Sequence, residues 1–166
     1  MKLSEEILQL IKDKKYDECL TKCEKKIKID PENSVALFGV AFALFHKGEY
    51  EKSYAYAKKN LLKVREKDVN ILLRMVEVYN LISMNKYNED MKKILDSLEK
   101  EKSNEDVSNH VKTFLIMYHI FNKNTETADK MYGELNEQKK KEFLNFLIEN
   151  VIKGKTAKIM KNYLNF

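Results

Sequence analysis

Three kinds of residue in this sequence could do chemistry, and their spacing decides whether they do. Cys19 and Cys23 stand four apart, the interval that places two side chains on one helical face, where a thiol pair could hold a metal or change redox state. They are the only cysteines in the chain, so no second pair completes a zinc site and no disulfide framework is implied. Their small hydrophobic size suits two close-packed helix positions instead. His46, His110 and His119 are the candidate bases and ligands. His110 and His119 are nine residues apart on one predicted helix and point to opposite faces, and no His-Glu-x-x-His pattern converges with them. Gly154-Lys155-Thr156 matches the end of a phosphate-binding loop. Glu149 stands where that loop's first glycine belongs and no strand precedes it, so it reads as a helix-breaking turn. Lys139-Lys140-Lys141 is a short basic run, but the formal net charge of +5 is otherwise spread over alternating acids and bases, as on solvated helix faces. A nucleic-acid surface is therefore the weakest of the binding readings. The expectation is no catalytic residue, no metal and no cofactor.

The elements that must position these residues are helices. A single Pro, four Gly and a charged fraction of 34% leave little punctuation for sheets, and Lys, Glu and Leu dominate, so the chain reads as all-α. At 166 residues it reads as one domain, 1–166. Apolar periodicity predicts helices over Leu3 to Ile11, Tyr16 to Ile29, Val35 to Lys47, Tyr50 to Lys63, Ile71 to Met84, Lys86 to Glu101, Val107 to Phe121, Glu126 to Leu135, Lys140 to Ile152 and Thr156 to Leu164. Pro31 ends the second, Asn33 or Ser34 caps the third, Gly48 ends it, Asp68 or Asn70 caps the fifth and Thr125 caps the eighth. The start of the chain lacks an apolar signal core. The most apolar stretch, Val35 to Phe45, is far short of the roughly 20 residues that span a bilayer. These features predict a cytoplasmic location and no membrane partner.

Two turns repeat. Lys15-Tyr16-Asp17-Glu18-Cys19 and Lys47-Gly48-Glu49-Tyr50-Glu51-Lys52-Ser53 each lead into a helix, and Tyr16 and Tyr50 lie 34 residues apart. That is the period of arrays built from helix pairs. In the second unit Leu37, Val40, Ala41 and Leu44, then Gly48 and Tyr50, then Ser53 and Ala57 resemble the tetratricopeptide repeat (TPR) family. In the first, Leu3, Ile7 and Leu10, then Tyr16, Cys19, Cys23 and Pro31 do so. The third unit departs from the pattern, with Asp90 at a small-residue position and 37 residues between Tyr50 and Tyr87. The fourth keeps Ala128 and Tyr132, and the fifth little beyond Ala157. The approximate units are 1–33, 34–67, 71–104, 107–136 and 139–166. The resemblance implies a right-handed superhelical array of antiparallel helix pairs, an α-solenoid, whose first helices line a concave groove.

The helix from Val35 to Phe45 shows no polar face, unlike an ordinary surface helix. Phe38, Phe42 and Phe45 form one stripe on it. Mapping that face onto later first helices adds Met75, Tyr79 and Ile82, then Met117, Ile120 and Phe121. The expected function is a non-enzymatic protein–protein interaction scaffold or adaptor that takes an apolar or amphipathic segment of another protein or peptide at Phe38, Phe42, Phe45, Met75, Tyr79, Ile82, Met117 and Phe121. Ser4, Leu8, Gly39 and Leu72 stand where some members of the family clamp a partner's C-terminal carboxylate, and they carry no basic set for that task. Two alternatives remain. The stripe could be buried by a homo-oligomer or by the chain's own C-terminal apolar residues, Phe143, Leu144, Phe146, Leu147, Val151 and Ile152. A helical-repeat RNA binder is the less favoured one.

Overall fold

The computed structural model describes residues 2–101 and 105–147. Within them the chain forms nine α-helices and a short 3₁₀ turn, with no strand. The helices are α1 Leu3–Lys12, α2 Tyr16–Ile29, α3 Ser34–His46, α4 Tyr50–Asn60 followed by the 3₁₀ turn Leu61–Lys63, α5 Lys67–Ser83, α6 Glu89–Lys100, α7 Glu105–Phe121, α8 Thr125–Gly133 and α9 Glu137–Leu147. The predicted tenth helix, the end of the ninth and the Gly154 turn lie outside the described residues. The fold is all-α, with neighbouring helices packed on one another. The chain divides into two compact units, 1–86 and 87–166, a division that falls inside the third sequence unit, 71–104.

The helix ends follow from local chemistry. Asn33 accepts the Ala36 N–H at 3.0 Å, capping α3 as its sequence predicts. Asn88 does the same for Met91 at 3.1 Å, so α6 starts at Glu89 and leaves Tyr87 outside the helix. Other expectations at helix starts differ as well, the clearest at α5 and α8. α5 begins a full turn early, at Lys67, with Glu66 at its cap. Asn70, expected as a cap, is instead helical, and its amide reaches back to the carbonyls of Leu61 and Val64 at 3.4 and 3.5 Å. Thr125 is the first residue of α8, whose cap is Asn124.

In the first unit α3 is the central helix, touching α1, α2, α4 and α5. That is why it lacks a polar face: Ala36, Leu37, Gly39, Val40, Ala41 and Ala43 are all buried. Gly39 is required here by close approach, since a Cβ would lie 2.6 Å from Cys23 Sγ and 2.7 Å from Ile7 Cδ1. Salt bridges give the helix directions. Lys47 Nζ reaches Asp17 at 2.6 Å, placing the start of α2 beside the end of α3. Lys86 lies 3.9 Å from Glu51, placing the start of α4 beside the end of α5. Arg65 and Glu32 join the two loops at the opposite edge at 2.5 Å. The helices α1, α3 and α5 therefore run parallel, with α2 and α4 antiparallel between them. A buried polar tie links three of them: Ser53 donates to the Ala41 carbonyl at 2.7 Å, and Asn80 donates to Ser53 Oγ at 2.7 Å.

The second unit is built around α7, which packs on α6 and α8. Phe114, Ile116 and Met117 of α7, Leu95 and Leu98 of α6 and Phe143 of α9 are fully buried. Tyr118 donates to Glu89 at 3.1 Å, and Asn122 donates to the Tyr87 carbonyl at 2.9 Å.

Candidate binding groove

The parallel arrangement of α1, α3 and α5 leaves an open groove between them of about 320 Å³. Ser4, Ile7 and Leu8 supply one wall, Val35, Phe38 and Phe42 the floor, and Val69, Leu72, Met75, Val76 and Tyr79 the other wall. All but Ser4 and the Tyr79 hydroxyl are apolar. Leu8 and Leu72 stand on facing rims and are 56% and 45% exposed, so the apolar lining continues to the surface at both edges of the cleft.

The lining repeats at the interval seen in the sequence. Ser4, Phe38 and Leu72 follow one another at 34 residues, as do Leu8, Phe42 and Val76, and Val35 and Val69. The register of α5 on α3 is thus regular along the groove. The three extra residues of this unit come after Tyr79, where α5 runs on to Ser83 while α3 stops at His46.

Of the residues expected in a groove, the structure brings together Phe38, Phe42, Met75 and Tyr79. Phe38 and Phe42 stack at 5.0 Å, and Phe45 sits beside them against Tyr79 at 5.9 Å and Tyr50 at 5.6 Å. Ile82 is buried on α5 and is not part of the lining. Met117 is 0% exposed in the core of the second unit and presents no surface to a partner. Phe121, also in the second unit, stacks face to face on Tyr87 at 3.8 Å. Gly39, placed with the groove positions in the sequence, faces Cys23 and Ile7 instead. Leu72 and Leu8 were recognised only as positions without a carboxylate clamp, and Ile7, Val35, Val69 and Val76 were not assigned to the groove. A step of 34 from Leu8 and Phe42 would have found Val76.

His46 caps the aromatic stripe. Its ring meets Phe42 at 4.5 Å, Phe45 at 5.2 Å and Tyr16 at 6.2 Å. Burial by these rings holds its pKa below the ordinary histidine value, although part of the residue reaches solvent. Burial likewise raises the Tyr79 hydroxyl above the usual tyrosine range. The stripe is therefore neutral near pH 7.

The other chemical candidates resolve into packing. Cys19 and Cys23 are free and fully buried, and the hydrogen bond to Cys19, with burial, pushes the Cys23 thiol up, so it is held as a thiol and not as a nucleophile. Among the described residues no group of His, Cys, Asp and Glu could hold a metal ion, and no helix is long and apolar enough to cross a membrane. In the basic run, Lys139 pairs with Glu105 at 3.4 Å, and Lys140 pairs with Glu137 at 3.0 Å and lies over the Tyr132 ring at 5.6 Å. Phe143, one of the residues proposed to cover the stripe, tilts against Tyr132 at 5.6 Å within the second unit. Leu144 lies on α9 of that unit, half-buried. The side chains of Phe146 and Leu147, and all of Val151 and Ile152, lie outside the described residues. Comparison with protein-family models, with curated proteins and with solved structures finds no match for this chain.

Proposed function

We propose that this chain is a non-enzymatic interaction protein of tetratricopeptide-like build, and that the cleft between α1, α3 and α5 takes the apolar face of a segment from another polypeptide. One observation carries the reading: three parallel helices present a continuous apolar cleft with leucines exposed on both rims. A pocket for a small metabolite carries a few convergent polar groups that fix the ligand's orientation. Here Ser4 and the Tyr79 hydroxyl are the polar groups at hand, and no charged side chain enters the lining. Two or three apolar side chains spaced along a helix need no such anchors and fill a cleft of this volume. Phe38, Phe42 and Tyr79 supply the rigid aromatic surface on which binding energy concentrates.

The rim offers a test that spares the core. Leu8→Asp/Leu72→Asp charges both rims at exposed positions and should leave helicity and thermal unfolding nearly unchanged. A displayed library of 16-residue peptides panned against the unaltered protein should enrich sequences with apolar residues at i, i+3 or i+4, and i+7. Those peptides should bind the double variant at least about tenfold more weakly, the cost of opposing two buried apolar contacts with charge. Peptides that bind both proteins equally, or a selection with no apolar pattern, would remove the reading. A concentration-dependent dimer in sedimentation that the same two substitutions dissolve would identify the occupant as a second copy.

A further inference from the structure

The two ends of the cleft differ in charge, and the difference specifies how an occupant lies in it. Because α1, α3 and α5 are parallel, their C-terminal ends share one edge. Lys12 is one turn beyond the rim residue Leu8 on the same face of α1, and Lys14 follows in the turn. Both are exposed, and among the described residues neither makes an ion pair. Lys15 and Lys86 at this edge are held only loosely, each 3.9 Å from its partner Glu18 or Glu51. The acids at this edge have partners of their own: Asp13, between the two lysines, accepts from Gln9 Nε2 at 2.9 Å, and Lys47 takes Asp17 at 2.6 Å and Glu49 at 3.3 Å. The opposite edge is mixed, with Glu5, Glu66 and Asp68 beside Lys2 and Lys67.

We propose that the occupant is an amphipathic helix with acidic residues in its N-terminal turn, lying antiparallel to α1, α3 and α5 so that those acids meet Lys12 and Lys14. The proposal rests on the reading of the cleft as a binding groove and adds the partner's charge and direction. Two effects agree. The lysines are exposed and unsatisfied, so pairing costs little desolvation. Acids at a helix N-terminus are where helices already carry them. Rim charges of this kind fix orientation and association rate more than total affinity.

Two synthetic peptides of identical composition test it. Both carry the same Leu, Phe and Met stripe and are lactam-bridged to equal helicity. One has Glu at its N-terminal turn and Lys at its C-terminal turn, and the other has them exchanged. At low salt the first should bind about fivefold more tightly, as two exposed ion pairs allow, and the preference should fade at 0.5 M salt, where the Debye length is only about 4 Å. Lys12→Glu/Lys14→Glu should cancel or invert the preference while total stripe-dependent binding persists. Equal binding of the two peptides, or a preference that survives the charge reversal, would overturn the orientation. If instead neither peptide binds, or both bind Leu8→Asp/Leu72→Asp undiminished, the groove itself fails and the orientation with it.

Discussion

Gly39 shows how much one missing methyl group can decide. It lies on the central helix α3, where Cys23 of α2 and Ile7 of α1 press in from two sides, and both neighbours are essentially fully buried. Gly39→Ala gains about 1 kcal/mol of helix propensity but must displace a sulfur and a methyl group from closer than 3 Å, at about 1–3 kcal/mol. The expected result is a net loss of up to about 2 kcal/mol in urea unfolding. Cys23→Ala removes the nearer obstruction. The double variant should therefore lose less than the sum of the two single losses, by about 0.5 kcal/mol or more. Strict additivity would show that Ile7, and not the sulfur, sets the limit. The same contact explains the cysteine pair: Cys23 sits at 0% exposure because a glycine across from it leaves room for sulfur and little else.

At the scale of elements, the most regular feature is a turn and not a residue pattern. Lys14, Gly48, Asn85 and Lys123 all adopt left-handed backbone, with φ of 58°, 84°, 56° and 61°. After each, the next N–H returns to a carbonyl five residues back: Lys15 to Leu10, Glu49 to Leu44, Lys86 to Leu81 and Asn124 to His119, at 2.8–2.9 Å. This is the hydrogen-bonded helix stop that glycine serves best. Only one of the four carries glycine, because the flanking helices enforce the conformation whatever residue occupies it. The cost is real all the same, at about 1 kcal/mol for a residue with a Cβ. Lys14→Gly and Lys123→Gly should each raise unfolding free energy by up to about 1 kcal/mol, net of the greater chain entropy of glycine. Gly48→Ala should lower it by a similar amount. Unchanged denaturation midpoints in all three would mean that the turns relax out of this geometry in solution.

For the whole molecule, the division into units 1–86 and 87–166 assigns the cleft to the first unit alone. Met117 makes the distinction testable. It was expected to line the groove with Phe42 and Tyr79, yet it is fully enclosed in the second unit's core. Met117→Ala should cost about 2–5 kcal/mol of stability through the cavity it leaves. At a temperature where the variant remains folded, its affinity for groove-selected peptides should match that of the unaltered chain. A loss of binding without unfolding would mean that Met117 contributes to recognition after all.

Much of this molecule is legible from its residues in order. Helix existence follows from apolar spacing, so α2 is found at its observed bounds, and capping chemistry narrows the start of α3 to Asn33 or Ser34, of which the structure uses Asn33. The 34-residue echo between Tyr16 and Tyr50 reappears as the rows of the cleft, because parallel helices in equal register place equivalent positions side by side. The expected superhelix is another matter, since periodicity speaks of repetition and not of the angle between successive pairs. Tertiary structure alone decided which face of each helix is used. A stripe of Phe, Met and Ile reads the same whether it meets solvent, a partner or a neighbouring helix, and only the packing around it shows that Phe38 and Phe42 line a cleft while Ile82 and Met117 are enclosed. Leu8 and Leu72 are the converse: an aliphatic residue in sequence does not tell core from rim, and the packing leaves these two exposed at the edges of the cleft.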